Sequence, residues 1–519
     1  MNITRRSFNI LAGAVAAAAL VRPTASFAQS AGTVIEYALE PAVLTQIDRN
    51  GPELIAAKIL DGLIDHDADL NPVPSLALSW ETSADALRHT FKLRDGVKWH
   101  DGEPFTSADV AYSLLTLKQT HPRRKATFAN LVDVETPDAL TVVLVFSKPA
   151  PFLYGALGAG APIFPRHLYE GVELATNPVQ SAPIGTGPFV FREWARGSHV
   201  VLERNPDYWG GTEPQADRIV IRFIPDLGAR VAALETGELE IGGPGVPLTE
   251  IDRLTTLPNL TVATDVKNFS GAQIQFFFNL DIEILKDIRV RRAIAHSLDI
   301  PEVISTVFRG HAKPAPSAIG PNLAAFHDPS IKPYAFDIEL ANRLLDEADH
   351  PRGADGTRFE LRILANPFSD QPPKVAEYLR SALERIGIRG SVVAYDYATY
   401  VTKVYTERAF DIEVEQLANG YDPTDGVQRG FWSKAFKPGV PWSNAAHYSN
   451  PRVDAIFEEA SAEPDLEKRK ALYFELQAIV YAELPSVGVA APVAFEVYNA
   501  RLDGVLDRQS QSRAKLRLA

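Results

Sequence analysis

The sequence contains no cysteine, and Met1 is the only methionine in its 519 residues. Without a thiol there can be no disulfide, no thiolate metal site and no cysteine nucleophile. There is also no GxxxxGK phosphate loop, no HExxH pair and no GxSxG elbow. The 11 histidines are scattered, with no pair at helical ligand spacing. Asp65-His66-Asp67-Ala68-Asp69 opens like a calcium loop. Leu70, however, stands where the sharp turn needs glycine, and Leu76 where a bidentate glutamate belongs, so a solvated turn is expected. Positive charge is in deficit: 52 Lys and Arg against 65 Asp and Glu give a formal net charge of −13. That balance argues against nucleic acid or an anionic membrane as partner. No cofactor and no metal are expected, and nothing supports an enzyme. A secreted hydrolase using paired carboxylates is the alternative from a different class, and an envelope scaffold with no enclosed ligand is a third.

Long apolar runs are missing as well. The run at residues 8–21 falls short of the roughly 20 apolar residues that cross a bilayer. It follows Arg5-Arg6 and precedes Ser26-Phe27-Ala28, the layout of a signal peptide over residues 1–28 with cleavage near Ala28. Thr4-Arg5-Arg6-Ser7-Phe8 fits the twin-arginine export address, and an ordinary Sec signal is the alternative. Either route leads to the periplasm. The rest of the chain has no anchor and must be held by its core alone. Its length suggests two or three domains, and its 46% hydrophobic content is ordinary for a globular protein.

Strands are expected at 33–39, 89–93, 140–146, 218–224, 274–280 and 390–395 from their β-branched or alternating patterns. The runs 189–194 and 199–203 flank Ala195-Arg196-Gly197-Ser198 as a hairpin. Thr106-Ser107-Ala108-Asp109 is a capping-box opening, and Asn450-Pro451 places a cap and a first-turn proline before another helix. Leu472, Leu476, Ile479 and Val480 form an apolar stripe that stops before Pro485. The mixture points to α/β domains.

Several segments are more specific: AKILDGL from Ala57, PSLALSWE from Pro74, TFKLRDGVKWHDGEPFTSADVAYSL from Thr90, PIGTGPFVF from Pro183, ERNPDYWGG from Glu203 and RVRRAIAHSLDIPEVI from Arg289. Physically these read as scaffold. Trp99 should be core, Gly185, Gly187 and Pro188 should form a tight bend, and Tyr208 with Trp209 should form an aromatic plug. Together they resemble the family 5 extracellular solute-binding proteins, receptors of ABC importers that include dipeptide-, oligopeptide- and nickel-binding members.

The resemblance implies an α/β clamp of the type II periplasmic-binding-protein kind, two lobes with an additional inserted domain. Domain I would comprise 29–60, 184–272 and 490–519, the inserted domain II 61–183, and domain III, the opposite lobe, 273–489. It further implies a monomer that closes on a small-molecule ligand and delivers it to an ABC permease and ATPase complex at the inner membrane.

Peptide-binding relatives hold the ligand's ammonium with an aspartate four residues before a proline; the matching residue is Asn419. Dipeptide-binding relatives hold the carboxylate with an arginine before another proline, and Asn366 aligns there. Asp422 and Asp425 share the Asn419 loop, and Arg429 either grips a ligand carboxylate or pairs with Asp425. Tyr397 aligns with a pocket aromatic, or is a core tyrosine. Tyr421, Trp432 and Trp442 are candidate pocket walls, and Glu40 lies in a first-domain loop that faces ligand in relatives. A peptide or amino-acid-derived ligand is the leading expectation. Because an amide both donates and accepts, the two asparagines also suit a sugar or an opine-like conjugate.

Overall fold

The computed structural model describes residues 32–48, 53–211, 214–264, 266–267, 271–507 and 512–518. The signal segment expected at residues 1–28 lies outside them. Three sheets of four or more strands organise the chain. The first runs Thr33–Tyr37, Arg218–Arg222, His199–Arg204, Phe189–Ala195, with the first pair parallel and the others antiparallel. The second, wholly antiparallel, runs Ala77–Thr82, Arg88–Leu93, Thr141–Phe146, Leu131–Asp138. The third is mixed and runs Ala312–Pro314, Ser486–Pro492, Ala272–Phe278, Ile412–Ala418, Phe359–Ala365, Ile388–Val393.

All six expected strands form, each within two residues of its expected ends. The expected hairpin turns at Gly197, where φ is +72°, a backbone state that glycine adopts without a Cβ penalty. Thr106 caps the helix Ser107–Thr120, its backbone N–H bonded to the Asp109 carboxylate at 2.9 Å. Asn450 caps Pro451–Ala460 by accepting from the Arg452 and Val453 amides at 2.8 and 3.2 Å. The 472–480 stripe lies in the helix Leu466–Glu483.

The scaffold motifs explain themselves sterically. A Cβ at Gly185 would lie 1.7 Å from the Ile59 carbonyl oxygen, so only glycine permits that approach. Trp99 is buried against Phe105. Trp209 donates to Asp61 at 2.9 Å while Arg94 sits 4.5 Å above its ring. The turn at 67–71 is closed by Asp67, which accepts from the Asp69 and Asn71 amides.

Two connections join the first and third sheets. Leu260–Thr264 pairs antiparallel with Phe495–Asn499, and the strands that follow and precede them, Ala272–Phe278 and Ser486–Pro492, pair with each other in the third sheet. The chain therefore crosses twice along neighbouring paths. Beside the first sheet lies a buried charge cluster. Glu36 accepts from Arg513 at 2.5 Å and pairs with Lys58 at 2.9 Å, tying together the start of the described chain, the helix Glu53–Ile59 and the carboxyl-terminal segment.

Candidate functional site

The two central strands of the third sheet are buried on both faces. One face is apolar: Ile274, Phe276 and Phe278 pack with Ile363, Ile412 and Val414. On the other, Gln273, Gln275 and Phe277 lie directly across from Leu417, Glu415 and Glu413. Opposed residues of an antiparallel pair share a face, so two glutamates and two glutamines meet where central strands normally carry apolar residues.

Glu415 is heavily hydrogen-bonded. Its Oε1 accepts from Asn366 Nδ2 at 2.5 Å and the Gln416 amide at 2.8 Å, and its Oε2 from the hydroxyls of Tyr400 at 3.1 Å and Tyr405 at 3.2 Å. The tyrosines are delivered by the helix Tyr397–Val401, which Asp396 caps by accepting from the Thr399 amide, and by the wider turn Thr402–Thr406 that continues it. Among the described residues Glu413 accepts one hydrogen bond, from Tyr400 at 3.5 Å. Burial raises the pKa of both glutamates; the charge of Glu415 adds to the rise at Glu413, which is held well above the usual carboxylate range. Arg429, from the short helix Gln428–Phe431, lies near enough to feel Glu415, and burial followed by repulsion from Arg123 pulls its own pKa down.

Aromatic rings border this polar face. Tyr397 is 39% exposed, with Phe368 6.0 Å and Trp442 6.3 Å from it, centroid to centroid. Burial and then the Glu415 charge raise the pKa of its hydroxyl. Trp442 has φ +57°, a strained state for so bulky a residue, of the kind that clusters at functional sites.

Asn366, Tyr397 and Arg429 thus converge on Glu415, as does Trp442 through Tyr397. The remaining candidates have partners elsewhere in this arrangement. Asn419 is 3% exposed, and its amide donates to Asn322 Oδ1 at 2.8 Å and the Gly271 carbonyl at 3.3 Å. Asp422 forms a buried two-oxygen pair with Arg469 at 2.9 Å and caps the next turn through Thr424. Tyr421 turns toward the inserted region, accepting from Arg124 at 2.9 Å. Trp432 packs on the cluster of Phe431, Val453 and Phe457, and Glu40, exposed, accepts from the Gly197 amide at 2.8 Å. The alternative pairing of Arg429 with Asp425 does not form among the described residues; Arg429 donates to the carbonyls of Gly426 at 3.1 Å and Ala418 at 3.4 Å. Asn366 itself is closed on both sides, its Oδ1 accepting from the Phe368 amide at 2.8 Å.

Sequence reasoning passed over Glu413, Glu415, Gln275, Tyr400 and Tyr405. The signal available was the alternation Ile412-Glu413-Val414-Glu415, a strand pattern with charge on every second residue.

Comparison with known proteins identifies the family. Residues 71–439 match the model of the bacterial extracellular solute-binding proteins, family 5 Middle. A Brucella ovis protein, provisionally named as an ABC transporter peptide-binding protein, is 32% identical over 80% of this chain and 78% of its own length. The dipeptide-binding protein of Escherichia coli is 25% identical over 83% of each chain. The crystal structure of NikZ from Campylobacter jejuni in complex with Ni(L-His) superposes with a TM-score of 0.79 at 25% identity, covering 92% of this chain and 95% of that one. The fold is accordingly the expected α/β clamp with an inserted third domain. With more than half its length matched, the chain belongs to family 5 of the bacterial extracellular solute-binding proteins, binding components of ABC transporters and not enzymes.

Proposed function

We propose that this chain is a periplasmic receptor that encloses a peptide or an amino-acid-derived molecule by hinge closure and delivers it to an ABC permease. The observation that carries this reading is the polar face of Gln275, Glu413 and Glu415 with exposed aromatic rings at its border, built into a lobe tethered by two neighbouring chain crossings. Such crossings suit rigid-body rotation about a few residues. The names of the Brucella ovis and Escherichia coli relatives favour peptides. The proposed domain limits are 29–60 with 184–272 and 490–519, then 61–183, then 273–489. They are supported by the first sheet drawing on strands from 33 to 222 while the 495–499 strand returns to pair at 260–264.

Native mass spectrometry of the exported protein, purified without dialysis, tests the reading. One peptide or amino-acid-derived molecule per chain is expected. A sugar adduct would transfer the assignment to the other ligand class, and peptide turnover would make the chain a hydrolase.

A further inference from the structure

The polar face of the third sheet is rich in acceptors and short of donors. Gln275 is 2% exposed and lies opposite Glu415, and among the described residues nothing donates to its Oε1. Gln273, fully buried two residues earlier, uses its amide nitrogen on the carbonyls of Ala315 and Ser317, while its Oε1 is likewise without a donor. Among the described residues Glu413 has only the 3.5 Å approach of the Tyr400 hydroxyl as a donor. That hydroxyl carries one proton and lies closer to Glu415, at 3.1 Å. Two buried amide oxygens on one face therefore lack a donor among the described residues, and Glu413 beside them has a weak one. A buried acceptor left unmatched is costly, so this grouping points to an occupant with several N–H groups.

Charge gives the same answer. Two carboxylates, Glu413 and Glu415, face one nearby guanidinium, Arg429, whose hydrogen bonds go to carbonyl oxygens. Arg408, the other cation that Glu413 feels, is engaged with Asp281, Asn279 and the Ala445 carbonyl. Glu413 and Glu415 thus outnumber the guanidinium beside them, and burial with the neighbouring Glu415 charge holds the Glu413 pKa well above the usual carboxylate range. The Tyr397 and Trp442 rings at its border present π faces of the kind that attract cations.

We propose that this face receives the cationic end of the ligand, a primary ammonium or a guanidinium, with Glu413 and Glu415 supplying the countercharge and Gln275 a neutral acceptor. The inference rests on the receptor reading above and deepens it by naming the ligand's charge and the strand that reads it. The recognising charge stands on the strand Ile412–Ala418 itself, four and six residues before Asn419.

Calorimetric titration of the ligand-stripped protein with paired dipeptides tests it: Ala-Arg against its neutral isostere Ala-citrulline, and Ala-Lys against Ala-(acetyl-Lys), repeated on Glu413→Gln and Glu415→Gln. The expected result is that at least one charged probe binds the parent more tightly than its neutral partner by tenfold or more, and that Glu413→Gln removes most of that preference while leaving the neutral partner's affinity in place. Glu415→Gln disturbs four hydrogen bonds; if it fails to fold, Glu413→Gln, which keeps its shape and its Tyr400 neighbour, decides alone. Equal affinity for charged and neutral partners, or an unaltered preference in Glu413→Gln, overturns the assignment and leaves the receptor reading standing. No binding of any probe to folded parent protein overturns both.

Discussion

Arg124 Nη1 donates to the hydroxyl of Tyr421 at 2.9 Å, joining the inserted region to the lobe built on the third sheet. The guanidinium also lies 5.7 Å from the centre of the Tyr421 ring, and a Cβ at Gly155 would stand 2.6 Å from that ring. Tyr421, expected as a pocket wall, is thus a contact between two parts of the clamp. Tyr421→Phe should remove about 1–2 kcal/mol from that contact and favour a more open form. Small-angle scattering would report this as a larger radius of gyration for the ligand-free variant, with little change in thermal midpoint. An unchanged radius would mean that the contact does not bias closure.

Asp422 and Arg469 form an ion pair with both side chains almost wholly buried. Removing one partner leaves the other uncompensated, so Asp422→Ala should cost about 3–5 kcal/mol in urea unfolding. Replacing both residues with apolar side chains of similar volume should recover part of that loss. A drop in ligand affinity with normal stability would instead return Asp422 to the binding site.

Much of the scaffold was legible and much of the site was not, for one physical reason. Thr33–Tyr37, Thr141–Phe146 and Arg218–Arg222 announce themselves because β-branched residues that are buried in a sheet look the same in any sequence. Asn450 and Thr106 do so through capping chemistry that is local to the chain. The strand Ile412–Ala418 carries Glu413 and Glu415, and charge on alternate residues reads as a solvated edge. Its burial depends on Tyr400, Tyr405 and Asn366 arriving from elsewhere. Asn419 and Asp422 share a loop that reads as ligand-facing, while the partners that engage them, Asn322 and Arg469, lie 97 and 47 residues away.

Glu496 is 4% exposed, its Oε1 has no hydrogen-bond partner among the described residues, and burial pushes its pKa up to about 7 against the opposing charge of Arg513. An unfolded glutamate titrates near about 4.3. Between those values the folded state keeps a proton that the unfolded state has lost, so this residue makes stability fall as pH rises through that window and level off above it. Glu496→Gln should abolish that fall and exceed the parent's stability near pH 8 by on the order of 1–3 kcal/mol. Paired urea titrations near pH 5 and pH 8 check this, and equal pH dependence in variant and parent would contradict it.

Tyr397 is partly exposed and rests against Phe368 and Trp442. Tyr397→Ala should therefore weaken ligand binding about tenfold or more while lowering stability by less than about 1 kcal/mol. Calorimetric titration alongside urea unfolding separates the two effects; a large stability loss with intact binding would make the ring part of the core.

Enclosure of a small ligand by this member of family 5 is tested by thermal unfolding of the ligand-stripped protein against dipeptides, tripeptides, sugars and opines. A ligand supplied at 100 times its dissociation constant stabilises the native state by about 2.7 kcal/mol. A clear rise in midpoint is expected with peptides or amino-acid-derived compounds. A folded protein whose midpoint is unmoved by every compound would contradict it.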